Sequence, residues 1–218
     1  CIDLIGPYTI QGADKEELTL HCLTMIDPVT GWFELAEIPA KSADVVIDVL
    51  EQKWLNRYPR PTSVVMDRGR EFMAEVKQTL NHDYGVQRKL ITTRNPQANA
   101  MVERAHQTLH SMLATKEIGQ GLDAREKWEG ILGAVGFAMR ATVHTTTRAT
   151  PMQLVFGRNA IHNVKFQADW QYIKECKQKL INQNNERENA KRTPHDYKVG
   201  DQVMIEQYQH RKYGQPKY

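Results

Sequence analysis

The chain has 218 residues, of which 40% are hydrophobic and 25% charged, and its formal net charge is +3. No apolar run is long enough to cross a membrane and no signal peptide is evident, so the sequence predicts no membrane partner. Cys1, Cys22 and Cys176 are scattered without a C-x-x-C pair, which argues against cysteine chemistry and is typical of reduced thiols in an intracellular protein.

The N-terminal part of the chain has the pattern of an α/β domain. Five segments rich in β-branched and other apolar residues predict strands, at residues 1–8, 18–26, 32–38, 63–66 and 86–92. The second, LTLHCLTMI, is nearly continuously apolar, as a strand covered on both faces would be. Helices are predicted between the later strands, at about 42–57 with Ser42 as the cap, and from Glu71 to about Asn81.

Helices dominate the rest of the chain. One is predicted within NPQANAMVERAHQTLHSML, and another at about 124–144. Thr150-Pro151-Met152-Gln153 has the pattern of a helix start, with a cap, proline at the first position and Gln three residues on; that helix ends at Gly157. Residues 170–192 predict a long polar helix. These elements predict a mixed sheet with helices on its faces. They would form a single core of about 160 residues, a length sufficient to bury most of its apolar surface unaided.

Three carboxylates stand out by their settings. Asp3 interrupts an apolar strand, Asp67 ends another, and Glu103 lies near the start of a helix, with 35 residues between the last two. Each alone has an ordinary alternative: a solvated aspartate, a turn aspartate before Gly69, and an acidic residue that complements a helix dipole. Together, carboxylates in these settings can hold two divalent cations, which cut and rejoin phosphodiester bonds.

The helix that carries Glu103 has a polar line beside its buried stripe. At about 100° per residue, Gln107 and His110 lie within about 40° of Glu103, whereas Ala105 lies roughly opposite. The predicted buried stripe adds three residues, Val102, Leu109 and Leu113. Such a line can face metal ions at one end and DNA along its length.

A second metal interpretation uses the same helix. Glu103, His106 and His110 give E-x-x-H-x-x-x-H, which could bind iron in a helical bundle or zinc. A di-iron bundle needs a second such motif and no H-E-x-x-H is present, so this interpretation is disfavoured.

Five segments together resemble a known family: CIDLIGPY, TMIDPVTGWFELAEIP, VVMDRGREF, NPQANAMVERAHQTL and TRATPMQLVFGRN. They run in family order over residues 1 to about 160. With the 35-residue spacing, they make the chain resemble the integrases of gypsy-type long-terminal-repeat retrotransposons, which are similar to retroviral integrases. The resemblance implies a ribonuclease-H-like α/β core with a mixed five-stranded sheet and flanking helices, and maps the invariant carboxylates onto Asp3, Asp67 and Glu103.

The resemblance also implies an activity. The family is expected to process the 3′ ends of element DNA and then to join them to target DNA. Two Mg²⁺ or Mn²⁺ ions would serve, one held by Asp3 and Asp67 and the other by Asp3 and Glu103, without a covalent enzyme–DNA intermediate. The implied partners are element-end DNA, target DNA and further copies of the chain in a homodimer or higher multimer. The point of action would be the nucleus.

The chain departs from the family pattern at several positions. Ala100 stands where the family often has glycine, and Gln107 and His110 stand where retroviral members have lysine. DNA contact by this helix should therefore be less cationic. The expected DNA-binding residues are Arg94, Asn99, Arg104, Gln107 and His110.

Three regions are expected from the resemblance and the composition. Residues 1–160 would form the catalytic core, 161–195 a helical linker, and 196–218 the beginning of a small β-barrel. The family's N-terminal zinc-binding module is absent from this sequence, so the chain is expected to be a fragment of a longer polyprotein.

Charge is unevenly distributed along the chain. Residues 170–218 hold ten Lys/Arg against six Asp/Glu, a balance of +4, which leaves residues 1–169 at −1. The tail is therefore expected to supply phosphate-binding charge. An alternative function is a catalytically silent DNA- or chromatin-binding remnant of a retrotransposon. The three carboxylates favour the enzyme over such a tether.

Overall fold

A computed structural model describes residues 1–11, 17–67, 69, 74–91, 100–115, 124–192, 196 and 198–202. Its strands are β1 (Ile2–Gln11), β2 (Glu17–Ile26), β3 (Phe33–Ile38), β4 (Ser63–Met66) and β5 (Gln87–Leu90). Its helices are α1 (Ala43–Leu50), α2 (Ala74–Gln78), α3 (Ala100–Thr115), α4 (Ala124–Ala141), α5 (Pro151–Phe156) and α6 (Trp170–Asn189). Two π-helical turns, Glu51–Leu55 and Thr79–Asp83, continue α1 and α2.

The strands form two hydrogen-bonded ladders. β1, β2 and β3 make an antiparallel meander in that order, in which Asp3 pairs with Thr24 and Thr24 pairs with Leu35. β4 and β5 pair in parallel, with Met66 opposite Leu90. An irregularity between Ile5 and Tyr8 shifts the register of β1.

β1 lies beside β4, which brings the two ladders together. Ile2 at the start of β1 and Val64 at the start of β4 pack in the same apolar cluster and line the same cavity. The two strands therefore begin at the same end of the fold. Asp67, which follows β4, is thus attached to a strand that contacts the strand of Asp3. All five predicted strands are present, but among the described residues they form a three-stranded and a two-stranded sheet and not the predicted single five-stranded sheet.

Apolar side chains cover the meander on both faces, as the continuous apolar character of β2 predicts. One cluster joins Cys22 and Phe33 to Leu109 of α3 and Trp128 of α4. The other joins Leu23 and Met25 to α1, β4 and α2. Successive residues of β2 thus belong to opposite clusters, because side chains alternate across a strand. The helix that carries Glu103 consequently packs on the first face.

Helix boundaries agree with the sequence where local signals set them. Thr150 caps α5: its hydroxyl accepts the Gln153 N–H at 3.0 Å, and the Gln153 side chain accepts the Thr150 N–H at 2.9 Å. Gly157 ends the helix in the left-handed conformation, with φ of 65°. Ser42 occupies the predicted N-cap position of α1 but makes no side-chain capping hydrogen bond.

The chain divides into two compact units, residues 1–177 and 178–218. The first includes the start of α6, because Ile173 is 4% exposed and packs with Ala149 and Leu154. The second contains the rest of α6 and a turn at Val199-Gly200, where Gly200 has φ of 105°. Most of the expected β-barrel start, residues 203–218, lies outside the described residues. Among the residues that the structure describes, no helix is both long enough and apolar enough to span a membrane.

Candidate active site

Asp3 is the second residue of β1 and is half-buried. Its Oδ1 accepts the Leu4 backbone N–H at 2.9 Å. Cys1 and Ile5, which share its strand face, both pack in the cluster that includes α3. Asp3 therefore lies on the face of the meander that α3 covers.

Asp67 directly follows β4 and is exposed. Its Oδ1 accepts the Gly69 N–H at 2.9 Å, which is the geometry of an aspartate that stabilises a turn. The turn role that the sequence offered as an alternative is thus present. It leaves the second carboxylate oxygen available to other partners, since an ionised carboxylate accepts through both oxygens.

Glu103 lies on the exposed side of α3. Gln107 and His110 are also exposed, whereas Val102, Ala105 and Leu109 are each at most 5% exposed. The predicted polar line beside a buried stripe is confirmed for these residues. Placement of the Leu113 side chain is outside the description.

His106 connects this helix to β1 by hydrogen bonds that pass through the buried Thr24. The His106 Nε2 atom lies 2.8 Å from the Thr24 hydroxyl oxygen. The same hydroxyl donates to the Asp3 backbone carbonyl at 2.9 Å. Thr24 is 1% exposed and is the cross-strand partner of Asp3. The helical turn that begins at Glu103 is thereby held against the strand that carries Asp3.

The helix and strands that carry the three predicted carboxylates contact one another, but the carboxylates themselves do not converge. α3 contacts β1, and β1 contacts β4, which Asp67 follows. Among the described residues, however, no group of three His, Cys, Asp or Glu side chains is close enough to hold a metal ion. This finding applies to Asp3, Asp67 and Glu103, and equally to Glu103, His106 and His110.

The sequence matches the family model described as "Integrase core domain" over residues 1–96. That match contains Asp3 and Asp67 and ends before Glu103. The chain is also similar to the Gag-Pol polyprotein of Walleye dermal sarcoma virus, with 30% identity over 139 residues, 64% of this chain and 8% of that polyprotein. The first 96 residues are therefore similar to an integrase core domain, and 64% of the chain is similar to part of a viral Gag-Pol polyprotein.

The chain is also similar to the Pro-Pol polyprotein of Feline foamy virus, with 28% identity over 156 residues, which is 72% of this chain. This chain spans 12% of that polyprotein, so it corresponds to a small part of both relatives.

Solved structures support the fold. One is a chain of the simian T-cell lymphotropic virus intasome in complex with PP2A regulatory subunit B56 gamma, with TM-score 0.58 and 14% identity, covering 76% of this chain and 56% of that one. Another is the catalytic core domain of BIV integrase, with TM-score 0.51 and 21% identity, covering 67% of this chain and 89% of that one. The predicted ribonuclease-H-like α/β fold is confirmed at this level.

The donor atoms of the predicted site are of the type that a hard divalent cation prefers, although the described side chains do not converge on one point. Asp3, Asp67 and Glu103 offer only carboxylate oxygens, which suit Mg²⁺ or Mn²⁺ and not zinc. His106 is a poor metal ligand here because its Nε2 already contacts Thr24. Burial, followed by repulsion from His110, lowers the pKa of His106 to about 4, so its ring is neutral at pH 7. The disfavoured E-x-x-H site gains no support.

The five expected DNA-binding residues fall into two groups. Arg94 and Asn99 lie outside the described residues. Arg104, Gln107 and His110 lie on α3, and the last two are exposed beside Glu103. The His110 ring centroid is 5.5 Å from that of Tyr8, so β1 restricts its orientation.

Sequence reasoning missed the role of Thr24 and His106. The available signals were a threonine within the nearly continuous apolar strand LTLHCLTMI and a histidine beside the buried stripe of α3. Neither signal identifies its partner, because 82 residues separate the two.

Proposed function

We propose that this chain contains the catalytic core of an integrase that processes the 3′ ends of element DNA and joins them to target DNA. The match to the integrase core domain includes Asp3 and Asp67. The helix that carries Glu103 is hydrogen-bonded through His106 to Thr24, which in turn donates to the Asp3 carbonyl, and this observation carries the proposal. The wider resemblance favours an element of the gypsy type acting in the nucleus.

Asp3, Asp67 and Glu103 would hold two divalent ions, Mg²⁺ or Mn²⁺. Such ions, when bound, activate the attacking oxygen and stabilise the leaving oxygen of an in-line displacement at phosphorus. The chain's own contribution is to fix the ligands. Leu4 N–H orients the Asp3 carboxylate, Gly69 N–H orients that of Asp67, and α3 carries Glu103.

Gln107 and His110, on the exposed face of α3 beside Glu103, would contact the DNA. Gln107 can donate and accept hydrogen bonds with sugar and phosphate groups, and the ring nitrogens of His110 can also make such bonds. Neither brings the fixed positive charge of a lysine, so this helix would orient DNA more than it attracts it. Arg94, Asn99 and Arg104 complete the proposed DNA-binding set.

Paired DNA ends require more than one protomer, and we propose that the core self-associates through helical surfaces that include α4. Phe137 on this helix is 44% exposed, and neighbouring Gly133 and Ala134 are exposed as well. Sedimentation of the chain at high concentration, with and without DNA, should show dimers or larger species. Monomers alone under both conditions would contradict this proposal.

A strand-transfer assay with Mn²⁺ tests the activity, with the chain carried in a full-length integrase. Asp67→Asn should reduce joining by more than about 100-fold, because losing a group that merely supports a metal ligand costs about 10–100-fold and Asp67 is itself a proposed ligand. Circular dichroism should show an unchanged fold, since Asp67 is exposed.

The matched control is Asp83→Asn, which makes the same chemical change at an exposed aspartate that pairs with His82 away from the site. It should join DNA at the wild-type rate. A wild-type rate for Asp67→Asn would refute the site. A wild-type protein that binds DNA but never joins it would favour the silent remnant instead.

A further inference from the structure

A partly buried polar contact joins Thr24 to the backbone of Asp3 and to the ring of His106. Thr24 is almost fully buried, yet its hydroxyl reaches both the Asp3 carbonyl and the His106 ring. Buried hydroxyls that lack a partner destabilise a fold, and an apolar residue would fill this position in β2 without that requirement. A threonine at this buried position, where valine would also fit, therefore indicates that the hydroxyl has a role.

Counting protons fixes the direction of both hydrogen bonds. A hydroxyl has one proton, and Thr24 donates it to the Asp3 carbonyl at 2.9 Å. The 2.8 Å contact with His106 then requires that the imidazole Nε2–H donates and that the hydroxyl accepts. His106 must therefore be the Nε2–H tautomer, with its Nδ1 unprotonated. The lowered pKa of this histidine is consistent with a neutral ring.

These two hydrogen bonds connect the segments that carry two of the three proposed ligands, Asp3 and Glu103. They begin on the backbone of Asp3, cross to the paired residue of β2 and end one helical turn after Glu103. Helical residues three apart lie on neighbouring parts of one face, so fixing His106 also fixes the height and rotation of Glu103 above β1.

We propose that His106 is a positioning residue of the active site, which acts through the Thr24 hydroxyl to hold the Glu103 turn of α3 at a fixed distance from Asp3. This inference rests on the proposed function, because it assigns His106 a role toward the ions that Asp3 and Glu103 would bind. His106 itself contacts neither DNA nor metal in this scheme.

Nuclear magnetic resonance of the full 218-residue chain provides the first test. Long-range ¹H–¹⁵N correlation spectra distinguish the two neutral tautomers of a histidine. With His106→Gln used to assign the signals, the His106 ring should show Nε2–H at pH 7. An Nδ1–H tautomer would overturn the proposed hydrogen-bond direction, and with it the positioning role.

Metal binding provides a readout that is separate from activity. Thr24→Val keeps the shape and removes the hydroxyl, and it should weaken Mn²⁺ binding by about 10–100-fold in calorimetry, as the loss of outer-shell support typically does. Thr24→Ser should restore the affinity. Thr19→Val makes the same change at an exposed position of β2 and should have no effect.

A second pair of variants guards against misfolding of Thr24→Val. His106→Gln keeps an N–H donor at a similar distance, whereas His106→Leu removes it. Mn²⁺ affinity should be close to that of wild type in the first and fall by about 10–100-fold in the second. Equal affinities in this pair, with both variants folded, would overturn the inference.

The outcomes separate this inference from the proposed function. A wild-type chain that binds Mn²⁺ as tightly as Thr24→Val and His106→Leu refutes the positioning role alone. A wild-type chain that binds no Mn²⁺ refutes the proposed metal site and the role of His106 together.

Discussion

At the scale of single residues, His106 combines a polar function with a partly buried position. Its ring contacts Thr24 on one side, and repulsion from His110 adds to the burial that lowers its pKa to about 4. The unperturbed pKa of histidine is about 6.5. Folding therefore disfavours protonation of this ring, which makes the stability of the core sensitive to mild acid.

We predict that the free energy of unfolding falls as the pH drops from about 6.5 toward 4. In that range the unfolded chain binds a proton at His106 that the folded chain does not, so stability is fully present above about 6.5 and is lost below it. The contribution of His106 between pH 6.5 and 5 should be about 1 kcal/mol after discounting for partial exposure.

Urea denaturation at several pH values measures this effect. His21 and His144 also have pKa values lowered by burial, so they act in the same direction and a wild-type curve alone is insufficient. The informative quantity is the difference between wild type and His106→Gln. Parallel pH profiles for the two proteins would show that His106 does not contribute.

At the scale of secondary-structure elements, an ion pair joins α4 to β3. The Arg140 Nη1 atom donates to the Phe33 carbonyl at 2.9 Å and to Glu34 Oε2 at 3.1 Å. Glu34 Oε1 also accepts the Trp32 indole N–H at 3.2 Å and the Tyr58 hydroxyl. Since the side chains of Arg140 and Glu34 are only 19% and 13% exposed, removing one leaves the other charge poorly solvated.

Arg140→Ala should therefore destabilise the protein by about 3 kcal/mol, within the range for breaking a buried pair from one side. The matched control is Lys191→Ala, which removes the cation of the exposed pair with Glu188, where the side chains are 66% and 50% exposed. That change should cost less than about 1 kcal/mol. Similar shifts of the urea midpoint for the two variants would contradict this account.

Helix caps offer a second test at the same scale. Thr150→Ala removes a hydroxyl that accepts the Gln153 N–H and should destabilise the protein by about 1 kcal/mol. Ser42→Ala changes the N-cap of α1, where the side chain makes no capping bond, and should cost much less. Equal losses in urea denaturation would show that the capping box of α5 adds nothing specific.

At the scale of the whole molecule, the excess positive charge lies in the second of the two compact units. Residues 178–218 hold eight Lys/Arg and five Asp/Glu, which leaves 21 of each in residues 1–177. The first unit is thus neutral overall and retains Ile173 in its core. Lys177 closes this unit by donating to the Pro28 and Val29 carbonyls at 3.2 and 2.8 Å.

We predict that deleting residues 178–218 weakens non-specific binding to duplex DNA and flattens its salt dependence. Each lost phosphate contact should reduce the slope of log affinity against log salt by about 0.9. Affinities measured over a salt series, with circular dichroism to confirm that residues 1–177 remain folded, test this. An unchanged slope would mean that groups in the core, such as Arg94 and Arg104, carry the DNA.

The sequence alone determined the features that depend on neighbouring residues. Segments rich in β-branched and other apolar residues predicted the strands, and capping chemistry predicted the ends of α5. Helical periodicity predicted the exposed line of Glu103, Gln107 and His110. These signals suffice because their physical causes act within a few residues of the chain. The carboxylate spacing and the family resemblance added the expected fold and site.

Only the tertiary structure decided which distant groups meet. The contacts of His106 with Thr24 and of Arg140 with Glu34 span 82 and 106 residues, and each depends on how α3 or α4 packs on the meander. The division of five strands into two ladders and the extension of the first unit to Lys177 were likewise invisible in the sequence. Such pairings are selected by the free energy of the packed fold as a whole, which no local pattern of residues encodes.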